Sequence, residues 1–134
     1  MNESFISPAS NESVRPRCDG LYHARSRSDD STYTMRFYPD GEVITVCIGG
    51  AWDTSRILKW FDRSNPDVSK GPYVVLGEAI CLTSICSQGR VDYAGFLHQG
   101  VLRISSLSQI NGHCSDYLSY DFAPLPELRT GTSR

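Results

Sequence analysis

Short runs of β-branched and aromatic residues recur between about residues 20 and 122, and turn-forming segments that contain glycine separate them. This spacing is typical of an antiparallel meander, in which consecutive strands pair with each other. Sequential antiparallel strands can close into an up-and-down barrel, which leaves no unpaired sheet edge. The sequence therefore predicts an all-β, eight-stranded antiparallel barrel with strands near residues 20–26, 32–38, 42–48, 72–76, 79–86, 90–98, 101–106 and 116–122.

The length of 134 residues fits one domain with a single core. Residues 1–17 and 125–134 lack apolar periodicity and are predicted to be disordered tails, which leaves a barrel domain at residues 18–124. A composition of 40% hydrophobic and 21% charged residues excludes general disorder. The net charge of -2 gives no basis for binding nucleic acid through bulk charge.

No apolar segment reaches the ~20 residues that a membrane helix requires, and the N-terminus lacks a basic region followed by an apolar stretch. The five cysteines are odd in number and include no CxxC pair, which argues against a disulfide framework and against a zinc site. These features predict a soluble cytoplasmic protein without a metal site. They leave the oligomeric state open and indicate no particular cofactor.

The longest connection, between the third and fourth predicted strands, begins with capping residues at Asp53 and Thr54 and meets a stop signal at residues 65–66. Its apolar residues are spaced by three and four and share one helical face, namely Ile57, Leu58, Trp60 and Phe61. This pattern favours a short helix that closes one mouth of the barrel, with Trp60 and Phe61 as the lid. A strand is the other interpretation of so short an apolar run.

The first hairpin permits two registers. A two-residue turn at positions 40–41 pairs Phe37 with Ile44 and brings the apolar faces of the two strands together. Pro39 and Gly41 instead suit a three-residue loop with a bulge, which shifts the pairing by one residue. The sequence does not decide between these registers.

The later hairpins predict which side chains face the interior. Cys86 is paired with Arg90 around a three-residue turn, and Leu97 with Leu102 around a turn at positions 99–100. The predicted lining is Ala79, Cys81, Thr83, Tyr93, Gly95 and Tyr120. Because several of these side chains are small, the barrel could hold one small ligand, and filling of that space by aromatic side chains is the alternative.

Candidate catalytic groups are sparse. His98 is expected at an exposed hairpin end and His113 in a loop, and neither has a carboxylate or nucleophile at a suitable spacing. His23 is expected to face outward if Tyr22 faces inward, and Arg36 is expected to project outward toward an acidic residue of a neighbouring strand. No phosphate loop, nucleophile elbow or metalloprotease motif occurs. No catalytic residue is therefore assigned.

A resemblance covers residues 20 to 122 and rests on patterns at 20–22, 33–43, 60–61, 71–73, 77–80, 91–95, 108–112 and 120–122. Together they resemble a family of small uncharacterised lipocalin-like, calycin-type β-barrel proteins. The run Arg-Phe-Tyr-Pro-Asp-Gly at 36–41 is also similar to the β-rich C-terminal region of F-box-only proteins. The resemblance implies a lipocalin-like barrel and carries over no functional residue.

The sequence thus predicts a small binding module that holds an apolar or amphipathic molecule inside the barrel. The alternative is a packed barrel that binds another protein through its outer strands or exposed aromatic residues. A third interpretation is an isomerase or cyclase that uses an interior tyrosine. None of the three involves nucleic acid or a membrane.

Overall fold

The computed structural model describes residues 15–26, 30–50, 53–110, 112 and 114–125. Most of the two predicted tails lies outside these residues, so the domain boundaries stay predictions. Residues 15–17 and 125 of the tails are described, and two of these residues form hydrogen bonds in or just before the first strand. The Arg17 N–H donates to the Tyr22 hydroxyl at 2.9 Å, and the Leu125 N–H donates to the Asp19 carbonyl at 3.0 Å.

The described residues form one closed barrel in which the strands follow sequence order. Each strand pairs antiparallel with the next, and the last pairs with the first. The strands are β1 (Gly20–Arg25), β2 (Ser31–Phe37), β3 (Glu42–Gly49), β4 (Ser69–Leu76), β5 (Ala79–Cys86), β6 (Gly89–His98), β7 (Val101–Ser108) and β8 (Cys114–Pro124). A short helix, α1 (Thr54–Leu58), lies between β3 and β4. The predicted eight-stranded antiparallel barrel with one short helix is confirmed.

The first hairpin adopts the register that its turn residues favour. Tyr38 donates its N–H to the Glu42 carbonyl at 2.9 Å around a three-residue loop, and Gly41 has a φ of 95° that a side chain would strain. Phe37 consequently pairs with Val43 and not with Ile44. The register based on the apolar face is therefore wrong, and the one based on turn chemistry is correct.

This register reverses the two faces of β3. Val43 joins the interior core, whereas Ile44 and Ile48 lie on the outer face, where they are buried together with Leu21 of β1. Covering this apolar outer face is favourable, because it removes apolar area from water. The connection 53–68 supplies the cover through the buried side chains Ile57, Phe61 and Val68.

The connection 53–68 is held in place by local polar contacts. The Asp53 carboxylate accepts the backbone N–H of Ser55 and of Arg56, which caps α1 as predicted. Arg63 bonds Asp40 at 2.6 Å, and its guanidinium carbon lies 3.9 Å from the centre of the Tyr38 ring. The segment therefore packs on the outside of β1–β3. The prediction that it closes a mouth of the barrel is wrong.

Arg36 of β2 also contacts the ring of Tyr38. It projects outward, as expected, but it is buried, and its guanidinium carbon lies 4.6 Å from the centre of the Tyr38 ring. The ring of Tyr38 therefore contacts two cationic side chains, Arg36 and Arg63. Such cation–π contacts are stronger where water is excluded.

The β5–β6 hairpin also differs from its predicted register. Cys86 pairs with Gly89 around a two-residue turn, and Cys81 pairs with Ala94. The one-residue shift turns Ile80 and Leu82 inward, because burying these larger side chains removes more apolar area from water than burying Ala79 and Cys81 would. The predicted pairing of Leu97 with Leu102 in the next hairpin is confirmed.

Substitution of Phe61 tests the outer cover. Phe61 is buried in the outer cluster, whereas its neighbour Trp60 is 43% exposed. Phe61→Ala should lower the free energy of unfolding by about 3–5 kcal/mol because it leaves a cavity. Trp60→Ala, the matched control, should lower it by less than about 1 kcal/mol. Equal losses in urea denaturation would contradict this packing.

Candidate functional site

The interior of the barrel has two unlike halves. The half near the β2–β3 hairpin loop is filled by aromatic rings: the ring centres of Phe37 and Tyr73 lie 5.0 Å apart, and those of Phe37 and Tyr22 lie 5.5 Å apart, both edge to face. Phe122 packs on Tyr22 with its ring centre at 4.9 Å. Edge-to-face packing of this kind stabilises aromatic clusters.

The other half contains a cavity of about 260 Å³. Exposed Cys47 lies at its edge, so the cavity reaches solvent. The side chains facing it combine hydroxyl groups with apolar groups, and none of the lining residues is Asp, Glu, Lys, Arg or His. Its main lining residues are Tyr33, Met35, Thr45, Cys47, Ser69, Ser84, Val91, Tyr93, Ile104, Ser106, Leu118 and Tyr120.

A hydroxyl pair lies in the wall of this cavity. The Oγ1 atom of Thr45 on β3 and the Oγ atom of Ser84 on β5 are 2.6 Å apart, although β4 runs between their strands. Gly71 of β4 has no side chain that would separate them, and a Cβ there would lie 2.0 Å from the Thr83 carbonyl oxygen. The close approach of β4 and β5 at Gly71 therefore allows β3 and β5 to share a hydrogen bond.

Two tyrosines of the lining remain neutral. Burial raises the pKa of the Tyr93 phenol, and the Thr45 hydroxyl opposes part of this rise. Burial also raises the pKa of the Tyr120 phenol, with smaller contributions from Tyr93 and Tyr33. Both phenols can consequently donate or accept a hydrogen bond at neutral pH. The lining offers hydroxyls and a thiol for hydrogen bonding, without a carboxylate, amine or imidazole.

The structure brings only some of the predicted lining residues together. Tyr93 and Tyr120 both line the cavity. Gly95 is buried and faces inward, but a Cβ there would lie 1.9 Å from the Arg103 carbonyl oxygen of β7, so the glycine serves close strand packing. Trp60 and Phe61 lie in the cover outside the barrel.

Three predicted lining residues lie on the outer face because of the register shift in β5. Cys81 is exposed, Ala79 is half-buried, and the Thr83 hydroxyl donates to the Asp92 carboxylate at 3.0 Å. The prediction that Ala79, Cys81 and Thr83 face the interior is therefore wrong. The residues that the sequence analysis missed are Tyr33, Thr45, Cys47, Ser69, Ser84 and Ser106. The three-residue loop of the first hairpin was the signal that could have placed Thr45 and Cys47 inside.

The register of β5 places Ala79 and Cys81 on the outer face of the barrel, where they contribute to an exposed apolar surface, here called the outer strip. Val74, Cys81 and Ala94 are adjacent in the sheet register, and so are Leu76, Ala79 and Phe96. Leu76 is 74% exposed and Phe96 is 53% exposed. These six residues form the outer strip. No part of the connection 53–68 is buried with them.

The histidines lie away from the cavity. His98 is at the β6–β7 hairpin and contacts the Glu78 carboxylate at 2.7 Å, a partner that spacing along the sequence did not indicate. Both side chains are exposed, which makes this a surface pair. Tyr22 faces inward and His23 outward, as expected, and burial lowers the pKa of the His23 imidazole. His113 lies outside the described residues.

The described residues contain no group of three or more His, Cys, Asp or Glu side chains arranged to hold a metal ion. No helix among them is long and apolar enough to cross a membrane. Neither a protein-family model, nor a curated protein, nor a solved structure matches the chain. The resemblance to lipocalin-like barrels therefore stays a prediction, and the site is interpreted from its own geometry.

Alkaline titration tests the burial of Tyr120. A phenol whose pKa is raised in the folded state stabilises folding below the unfolded pKa of about 10, and this stabilisation is lost as pH rises above that value. Tyr120→Phe should therefore reduce the fall in unfolding free energy by up to about 1.4 kcal/mol per pH unit above pH 10. Urea denaturation at several pH values measures this slope. Identical slopes for parent and variant would show that Tyr120 ionises in the folded barrel.

Proposed function

We propose that this protein binds a small molecule in the open half of its barrel. The observation that carries the proposal is the cavity of about 260 Å³ beside an aromatic cluster that fills the other half. An eight-stranded barrel is just wide enough to be filled by side chains or to hold one small ligand. Here the short side chains of Thr45, Ser84 and Ser106 leave space that larger residues would occupy.

The size of the cavity limits the ligand. A buried apolar cavity of about 150 Å³ binds benzene, and drug-sized ligands use pockets from about 300 Å³ upward. A cavity of about 260 Å³ falls between these values. The expected ligand is accordingly larger than one six-membered ring and smaller than a typical drug. Binding is proposed in preference to catalysis, because the lining holds no carboxylate, amine or imidazole and because burial raises the pKa of the Tyr93 and Tyr120 phenols away from neutrality.

Two further features support the interior position of the ligand and a cytoplasmic location. The lipocalin-like resemblance agrees with a ligand inside the barrel. All five cysteines are among the described residues and form no disulfide bond with one another, which supports action in a reducing compartment such as the cytoplasm.

A larger side chain in the cavity should weaken the binding of a small molecule there. Ser106 lines the cavity, whereas the Ser105 hydroxyl donates to the Ala94 carbonyl at 3.2 Å on the outer face of the same strand. Ser106→Leu should weaken binding of the neutral fluorescent probe 4-aminophthalimide by at least about tenfold, because the added carbons occupy its space. Ser105→Leu, the matched control, should leave the affinity unchanged. Fluorescence titration measures both affinities.

Two outcomes of this titration would contradict the proposal. The parent protein could give no blue shift of probe emission at any soluble concentration. Alternatively, the parent and both variants could bind with equal affinity, which would place the probe outside the barrel. Thermal unfolding of each variant verifies that the barrel is intact, so loss of binding is not confused with loss of folding.

The outer strip favours a second candidate function, self-association. Exposed contiguous apolar surface marks interaction sites, and the six residues of the strip carry no charge. An uncharged apolar surface is complementary to itself, which a two-fold contact between identical chains requires. A second copy of this chain is therefore the proposed partner.

Sedimentation velocity tests this second candidate. The parent should dimerise as its concentration rises, and Phe96→Glu should shift the protein to a monomer, since it places a charge in an apolar contact. Ser119→Glu provides the control, because Ser119 is exposed on β8 outside the strip. A parent that remains monomeric, or equal effects of the two substitutions, would contradict self-association through the strip.

A further inference from the structure

We infer that the ligand of the cavity is an uncharged, fused-ring aromatic molecule with one hydrogen-bonding group. This inference rests on the proposed function and specifies its ligand class. It is carried by three properties of the lining: the lack of Asp, Glu, Lys, Arg and His, the cluster of hydroxyl groups in one part of the wall, and the volume.

The first property excludes ions. None of the residues lining the cavity is Asp, Glu, Lys, Arg or His. An ion that leaves water costs several kcal/mol unless an opposite charge compensates it. The phenols of Tyr93 and Tyr120 do not provide that charge, because burial raises their pKa and keeps them neutral. A neutral ligand avoids this cost.

The second property orients the ligand. The polar wall consists of Thr45, Ser84 and Tyr93: the two aliphatic hydroxyls are 2.6 Å apart, and the Thr45 hydroxyl interacts with the Tyr93 phenol. The lining also includes the apolar side chains of Ile104 and Leu118, which are paired residues of β7 and β8. A ligand with one polar group and an apolar body matches both the hydroxyl cluster and these apolar side chains.

The hydroxyls of the polar wall can both donate and accept hydrogen bonds. A neutral group that also does both, such as a primary amide, matches them better than a group that only accepts. A carboxylate of the same shape would accept hydrogen bonds but would bring an uncompensated charge.

The third property selects a flat fused-ring body. Since about 150 Å³ suffices for benzene, a cavity of about 260 Å³ has space for a second fused ring. Aromatic rings favour edge-to-face or offset contacts with other rings, and Tyr33, Tyr93 and Tyr120 supply such partners in the lining.

An isosteric pair of probes tests the inference. 2-Naphthamide and 2-naphthoate have the same ring and nearly the same shape, but only the naphthoate is charged at pH 7. Isothermal titration calorimetry should show that the amide binds at least about tenfold more tightly than the carboxylate, because only the carboxylate brings an uncompensated charge. Equal or tighter binding of naphthoate would overturn the inference while leaving the proposed function intact.

Variants test the polar wall. Tyr93→Phe and Thr45→Val should each weaken 2-naphthamide several-fold and leave the affinity for naphthalene, measured by fluorescence, nearly unchanged, since only the amide uses these hydroxyls. Ser105→Ala on the outer face should change neither affinity. An equal loss for both probes would mean that the substitutions damage the cavity generally, which would overturn the assigned polar wall.

The two proposals fail in different ways. If 4-aminophthalimide, naphthamide, naphthoate and naphthalene all fail to bind the folded parent, the proposed function fails and this inference fails with it. If 4-aminophthalimide binds inside the barrel and naphthamide shows no preference over naphthoate, only the ligand class is wrong.

Discussion

The three-residue loop of the first hairpin is the constraint on which the rest of the structure depends. Gly41 accepts a φ of 95°, and the resulting register pairs Phe37 with Val43. Every later side chain of β3 is thereby assigned to one face: Thr45 and Cys47 face the interior, whereas Ile44 and Ile48 face outward. The register set by this one turn therefore places polar side chains in the cavity wall and apolar side chains on the outer face, where they need a cover.

Much of the fold could be predicted because its signals are local. Each strand is marked by its own β-branched and aromatic residues and by the turn that follows it. The helix between β3 and β4 is marked by Asp53 at its N-cap and by apolar residues at helical spacing, and the structure contains both features. The sequential antiparallel order brings β1 and β8 to the two edges of the sheet, and their pairing closes it.

The candidate site was harder to predict because alternation shows that a strand has two faces without showing which one is inside. For β3 the sequence leaves two registers, so it does not decide whether Thr45 or Ile44 faces the interior; Ile44 can lie on the outer face because the connection 53–68 buries it there. For β5 the turn after Cys86 is one residue shorter than expected, which exchanges Cys81 for Ile80 in the interior. Tyr93 and Tyr120 both line the cavity, and for Tyr93 the face predicted from the sequence is the one that the structure turns inward.

The cover of residues 53–68 gives the barrel walls of unequal thickness. On the side of β1–β3, the backbone lies between the interior core and a second apolar layer, so water is kept from both faces of the sheet. On the side of β4–β6, the outer face carries the exposed side chains of Leu76 and Phe96, and none of the described residues forms a second buried layer there. Local opening costs least where few apolar contacts must be broken. The single-layered wall is accordingly the compliant side of the barrel, and the double-layered wall is the rigid support that keeps the shape of the cavity.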